Sequence, residues 1–157
     1  MKIFLLKVWR VLPYWLQNTL SRIIRPLFQV GVTAVIFDHE NRILLGKSTY
    51  QRFHPWGMPG GGLEYGERAE EAVVREVWEE TSLIVKNEKL LLVKTFSPDK
   101  FILYYLCSVQ SGVFQPSDEV SEAGYYSLND LPDIRPRDYD VLKQLFEIME
   151  SDKHELA

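Results

Sequence analysis

The order of apolar and polar residues along the chain predicts strands first. Val30 to Phe37 is rich in Val, Ile and Thr, and the polar turn Asp38-His39-Glu40-Asn41 separates it from Arg42 to Gly46, so these runs predict a pair of strands. Ser97-Pro98-Asp99 is a turn of the kind that joins neighbouring strands. Further strands are predicted over Lys89 to Thr95, Phe101 to Val109 and Glu122 to Leu128.

Helical spacing is the second pattern. Glu67 to Thr81 contains neither Gly nor Pro and places Val73, Val74 and Val77 on one side, which predicts a helix anchored on the sheet. A closing helix is predicted from about Asp138 to Glu150. Ahead of the first of these helices, one flexible loop is predicted from Gly57, Pro59, Gly60, Gly61, Gly62 and Gly66. Helices that flank a central sheet predict an α/β layered domain.

Size and composition limit the class of protein. The chain has 157 residues, of which 46% are hydrophobic and 25% charged, so it can build one packed domain and is too short for two. The single cysteine, Cys107, cannot form an internal disulfide, and no Cys/His cluster has the spacing of zinc ligands. A reducing cytoplasm is therefore the predicted location.

Charge is distributed unevenly along the chain. The first 28 residues contain no acid and carry +5, from Lys2, Lys7, Arg10, Arg22 and Arg25. Because the whole chain carries -4, the remainder carries -9. This contrast predicts a basic arm over residues 1–28 and a separate domain over residues 29–157. The acidic domain should repel nucleic-acid backbones, so no DNA is expected as a partner, whereas its carboxylates suit metal cations.

The basic arm has the pattern of an amphipathic helix. It should start after Pro13 and end before Pro26, with apolar positions at Leu16, Leu20, Ile23, Ile24 and Leu27. Lys7 and Arg10 interrupt the early apolar run, which disfavours an export signal, and no apolar span is long enough to cross a bilayer. Two roles stay open. The arm packs on its own domain or on a partner subunit, as in a homodimer, or it binds weakly to an anionic membrane surface through Trp9, Tyr14 and Trp15.

Three carboxylates share one edge of the helix predicted over Glu67 to Thr81. Glu76, Glu79 and Glu80 stand at i, i+3 and i+4, where like charges repel by roughly 0.2–0.5 kcal/mol per pair. An acid-rich helix is often only a solvated face. Here Gly60-Gly61-Gly62 precedes the helix and can bring bare backbone close to a phosphate or a metal ion. The combination predicts a divalent-cation site that handles phosphates.

The segment from Gly61 to Leu83 resembles the Nudix box, G-x5-E-x7-R-E-U-x-E-E-x-G-U, in which U is apolar. Eight of nine positions agree, namely Gly61, Glu67, Arg75, Glu76, Val77, Glu79, Glu80 and Leu83. The ninth is Ser82 in place of glycine, at the predicted helix end, where a left-handed residue is expected. The resemblance extends more loosely over Val30 to Pro132.

The resemblance implies an α/β/α sandwich with a central mixed sheet and a pyrophosphohydrolase activity. It also implies that Glu76, Glu79 and Glu80, with the Gly60 carbonyl, bind Mg²⁺ or Mn²⁺, and that Arg75 and Glu67 pair with each other in support, although Arg75 could instead contact phosphate. The base that takes the proton of the attacking water is either a box glutamate or an acid of a late loop. Glu119 is the first late-loop candidate and an additional predicted metal ligand, and Glu122 is the second candidate.

The sequence also offers candidate substrate contacts. The candidates that could stack a base or hold phosphate are Arg52, His54, Tyr104, Tyr105 and Arg137, although strand aromatics are more often core residues. The expected substrate is a small nucleoside diphosphate derivative, in which the nucleotide is linked to a sugar, an alcohol or phosphate. The alternatives are a non-catalytic nucleotide-binding sensor on a Nudix fold, or a module that acts on a membrane or partner through the arm.

Overall fold

The fold follows the predicted alternation of strands and helices. The computed structural model describes residues 9–24 and 27–155. In chain order the elements are α1 (Tyr14–Ile24), β1 (Gln29–Val35), β2 (Ile43–Ser48), β3 (Trp56–Gly57), β4 (Gly60–Gly62), α2 (Ala69–Thr81), β5 (Ile84–Ser97), β6 (Lys100–Ser111), β7 (Val120–Tyr126) and α3 (Pro136–Glu155).

The strands form two sheets. The four-stranded sheet has the order β4-β1-β6-β5, in which β1 runs antiparallel to β4 and parallel to β6, so this sheet is mixed. The three-stranded sheet has the order β3-β2-β7 and is antiparallel throughout. Strands β5 and β6 form a long antiparallel hairpin through the turn at Pro98 and Asp99.

Helices α2 and α3 cover two separate layers of the core. Val73 and Val77 of α2 are fully buried in a cluster that includes Ala34 and Tyr105. Leu142 and Leu145 of α3 belong to a second cluster, with Val35 and Tyr104. Neighbouring strand residues thus point into different clusters, because successive side chains of a strand face opposite sides of a sheet. This arrangement confirms the predicted α/β/α sandwich.

The first two strands form where predicted but pair over only part of their length. Strands β1 and β2 stay together only near their turn, through the bridge between Phe37 and Ile43, and then enter different sheets. The reason is that β4 occupies the free edge of β1, with Thr33 opposite Gly60 and Gly31 opposite Gly62. The run predicted as a loop therefore contains a strand of three glycines, and Trp56–Gly57 is a further short strand.

Helix α2 begins two residues later than the sequence predicts. The residue before it, Arg68, is extended, and Glu67 lies in the preceding turn, where its amide donates to the Glu64 carbonyl. The other end is as expected: Ser82 adopts the left-handed conformation, with φ 61° and ψ 13°, and its amide donates to the Trp78 carbonyl. A left-handed residue other than glycine costs about 1 kcal/mol, so Ser82 is a mildly strained helix end.

Helix α1 is an exposed element. The carbonyl of Pro13 accepts hydrogen bonds from the amides of Leu16 and Gln17, as expected for a helix that starts at this proline. Tyr14 is 77% exposed and Trp15 67% exposed. The predicted helix end at Pro26, the charges of Lys2, Lys7 and Arg25, and the side chains of Arg22, Ile23 and Ile24 lie outside the described part of the chain. Within that part, no helix has the length and apolar character needed to cross a bilayer.

Candidate active site

Helix α2 and strand β4 bring the predicted carboxylates to the glycine backbone. The amide of Gly60 donates to Glu80 Oε2 at 2.9 Å. The Glu76 carboxylate occupies the place where a side chain on Gly61 would lie, so a Cβ atom there would overlap it. The absence of side chains on β4 is therefore what allows the carboxylate edge of α2 to lie against the sheet.

Arg75 organises the carboxylates on one side of this edge. Its guanidinium donates to Glu67 Oε1 at 2.8 Å and to Glu67 Oε2 at 2.9 Å, as the predicted pair requires. It also donates to Glu76 and Glu79, each at 3.0 Å, and to the Gly62 carbonyl at 3.0 Å. With five hydrogen bonds to protein groups, Arg75 connects the turn before α2, the helix and β4, which is a positioning role.

A late loop brings Glu119 to the same place. Glu119 lines a cavity of about 280 Å³ together with Glu76, Glu79, Glu80, Ser117 and Asp118. Ser117 Oγ donates to the Glu80 carbonyl at 3.1 Å, and Thr49 Oγ1 donates to the Asp118 carbonyl at 2.6 Å, so the loop is fixed to α2 and to the segment after β2. Glu122 does not line this cavity, and its carboxylate pairs with Lys47 at 2.5 Å. Of the two late-loop candidates, only Glu119 lies beside the box glutamates.

The cavity is short of positive charge. Burial raises the pKa of Glu80 to about 7; the charges of Glu76, Glu119 and Glu79 act in the same direction, and the hydrogen bond from Gly60 opposes them. Burial also raises the pKa of Glu76, while Arg75 opposes this effect and both Glu79 and Glu119 add to it. The pKa of Glu67 shifts in the opposite direction, because its hydrogen bonds from the Arg75 guanidinium lower it to about 2. Arg75 thus compensates only part of the negative charge.

The donor set has the chemistry of a divalent-cation site. Among the residues described, no three Asp, Glu, His or Cys side chains are arranged to hold one ion as they stand. The four glutamates nevertheless supply hard oxygen ligands, which Mg²⁺ and Mn²⁺ prefer. Mutual repulsion of the carboxylates would be relieved by such an ion, so the residues present fit it.

A second cavity, of about 250 Å³, adjoins the carboxylates. Glu80 and Gly60 line it, and so do Tyr104 and Arg137, two of the predicted substrate contacts. The remaining candidates lie elsewhere. Tyr105 is buried in the cluster under α2, Arg52 stacks on Phe53 at 5.7 Å, and His54 Nδ1 lies 2.6 Å from Asp133 Oδ1.

Sequence reasoning missed several residues of this second cavity. Lys100, Arg135, Phe96 and Tyr50 all line it. Arg135 and Arg137 flank the proline that starts α3, and two cations at a helix start are a signal that could have been noticed. Lys100 and Phe96 carry no comparable signal, because only the β5–β6 hairpin brings them to the cavity.

Most of the chain is similar in sequence to known proteins. The sequence model described as "NUDIX domain" matches residues 27–145. The ADP-ribose pyrophosphatase of Methanocaldococcus jannaschii is 39% identical over 104 residues, which are 62% of this chain and 61% of that protein. An NAD-capped RNA hydrolase of Vibrio parahaemolyticus is 32% identical over 99 residues, which are 62% of this chain and 38% of that protein. Both matches span less than two thirds of the relative.

A solved structure supports the same relationship. The crystal structure of an ADP-ribose pyrophosphatase from Streptococcus suis superimposes with a TM-score of 0.66 at 26% identity. The match covers 78% of this chain and 91% of that one.

Proposed function

Since the chain belongs to the NUDIX family, we propose that it is a divalent-metal-dependent hydrolase that cleaves the diphosphate linkage of a nucleoside diphosphate derivative. The observation that carries this proposal is the meeting of Glu76, Glu79, Glu80 and Glu119 at one cavity beside the glycine strand. The names of the relatives add support, because ADP-ribose and NAD-capped RNA both contain a diphosphate that joins a nucleoside to a second group.

Each residue has a definite part in this reaction. Glu76, Glu79 and Glu80, with the Gly60 carbonyl, would hold Mg²⁺ or Mn²⁺, and Glu119 is a further candidate ligand. When bound, the ion neutralises phosphate charge and polarises the phosphoryl group. Arg75 keeps Glu76 and Glu79 in place through its hydrogen bonds.

The chemical step is attack by water on phosphorus. The water oxygen forms a new P–O bond, the bond to the bridging oxygen breaks, and a carboxylate at the cavity takes the proton. Glu119 is the proposed acceptor, because it faces the box glutamates from a separate loop. Glu122 is less suitable, since its carboxylate is paired with Lys47.

A substrate screen tests the proposal directly. The full chain is incubated with Mg²⁺ or with Mn²⁺ and with ADP-ribose, nucleotide sugars, dinucleoside polyphosphates, CDP-alcohols, nucleoside triphosphates or NAD-capped RNA, and products are identified by mass spectrometry. We expect turnover of at least one diphosphate-linked nucleoside, with loss of activity in EDTA and recovery when the metal is restored. Binding of these compounds without any turnover would instead support the non-catalytic sensor.

We also propose that the basic arm attaches the enzyme to an anionic membrane surface. Tyr14 and Trp15 are exposed on α1, and the first 28 residues carry +5 without an acid. The full chain should sediment with vesicles that contain about a third phosphatidylserine and lose this at high salt, because exposed charges are screened. Trp15→Ser should weaken the binding. Salt-independent dimerisation with no sedimentation would favour the homodimer.

The reducing cytoplasm remains a prediction that rests on Cys107.

A further inference from the structure

We propose that Lys100 and Arg137 form a subsite for a second anionic group of the substrate, remote from the phosphorus that is attacked. This inference rests on the proposed function and makes it more specific. It predicts that the preferred substrate is a nucleoside diphosphate derivative with an additional phosphate or carboxylate, and not one in which the diphosphate is the sole charged group.

The sheet register separates this subsite from the carboxylates. On β1, Thr33 is opposite Gly60, whereas Gln29 is opposite Lys100. Four residues of a strand span about 13 Å, so the backbone of Lys100 lies about that far along the sheet from Gly60. The two phosphates of one diphosphate share a bridging oxygen and cannot extend over such a length. A substrate that reaches both ends needs another group at the Lys100 end.

Arg137 is at the same end of the cavity as Lys100. Its guanidinium lies 4.0 Å from the centre of the Phe96 ring, and Phe96 lies between Thr95, which is opposite Phe101, and Ser97, which is opposite Lys100. Stacking on an aromatic ring holds a guanidinium in one orientation and leaves its edge free to donate in the ring plane. Arg137 is thus preorganised to bind an oxyanion.

Both cations have donors available. Apart from Asp138, whose Oδ1 lies 3.8 Å from Arg137 Nε, no described residue forms an ion pair or hydrogen bond with the Arg137 guanidinium. Within the same described ranges, none pairs with the Lys100 ammonium. Arg135, the third cation of this cavity, is already bonded to Gln51, so it is a less suitable ligand. Asp138 and Glu80 are the acids that line the cavity, and they leave it with one more cation than acid.

The test compares substrates that differ by one anionic group. The pairs are coenzyme A with dephospho-coenzyme A, NADPH with NADH, and UDP-glucuronic acid with UDP-glucose. The first two pairs place the extra charge on the nucleoside ribose and the third places it on the other side of the diphosphate, so they also show which half of the substrate enters the subsite. We expect a KM about tenfold lower for the charged member of at least one pair, and a smaller difference at high salt.

Variants identify the residues responsible. Lys100→Gln and Arg137→Gln should each reduce the KM ratio within that pair at least threefold, whereas Lys143→Gln, which removes an exposed charge from the same helix as Arg137, should leave the ratio unchanged. The ratio of the two KM values within a pair does not change when a variant loses activity toward both substrates equally. Equal KM values within every pair, or a ratio that survives both substitutions, would overturn the subsite. The proposed function fails separately, if Glu80→Gln turns over both members like the wild type.

Discussion

Glu80→Gln and Glu79→Gln are each expected to lower kcat by at least about a hundredfold and to leave the fold intact. In the proposed reaction these carboxylates hold the metal ion, so removing one of them eliminates charge stabilisation that is made in the transition state. The amide of Gln keeps the size of Glu and an oxygen that can accept the hydrogen bond from Gly60 or Arg75. Circular dichroism and thermal unfolding should therefore change little.

Two measurements make this result decisive. Turnover of the substrate found in the screen gives kcat, and calorimetry with Mn²⁺ and a non-hydrolysable diphosphate gives the affinity for metal. Glu71→Gln is the matched control, because Glu71 is an exposed acid of the same helix that does not line the carboxylate cavity. Wild-type kcat in either test variant would refute the assignment of these glutamates.

Gly60→Ala is expected to lower mainly the stability of the protein, and Gly61→Ala mainly its kcat. A Cβ on Gly60 would overlap the carbonyl oxygen of Val32, and Gly60 has a φ of 155°, so the backbone has to move. We expect a loss of stability of about 3 kcal/mol or more. A Cβ on Gly61 would overlap the Glu76 carboxylate, which is the end of a flexible side chain. That carboxylate can rotate away, so the fold should survive while kcat falls at least about tenfold.

Urea unfolding and kcat, measured on both variants, separate the two effects. Gly57→Ala is the control, because a Cβ there would meet no atom within 4 Å. If Gly61→Ala retained full activity, Glu76 would not need its present position against β4, and its role as a metal ligand would be in doubt. If Gly60→Ala were as stable as the wild type, the close contact between β4 and β1 would not be essential.

The sequence was sufficient to predict helix α2, which carries the candidate site. Glu76, Glu79 and Glu80 fall on one edge of α2 because the period of a helix is fixed, and Val73 and Val77 fix the adjoining side in the core. The left-handed end at Ser82 was likewise predictable, since a helix end of this type has a local backbone requirement. These features depend on residues near to one another in the chain.

Only the tertiary structure decided what faces those carboxylates. The glycine run became strand β4 because the edge of β1 was available to it, and this excluded β2 from the same sheet. Glu119 and Glu122 look alike in sequence, yet loop contacts through Ser117 and Thr49 bring Glu119 to the cavity and pair Glu122 with Lys47. Lys100 and Arg137 line the same cavity for the same reason: pairing between distant segments depends on the packing of the whole domain, which no local pattern records.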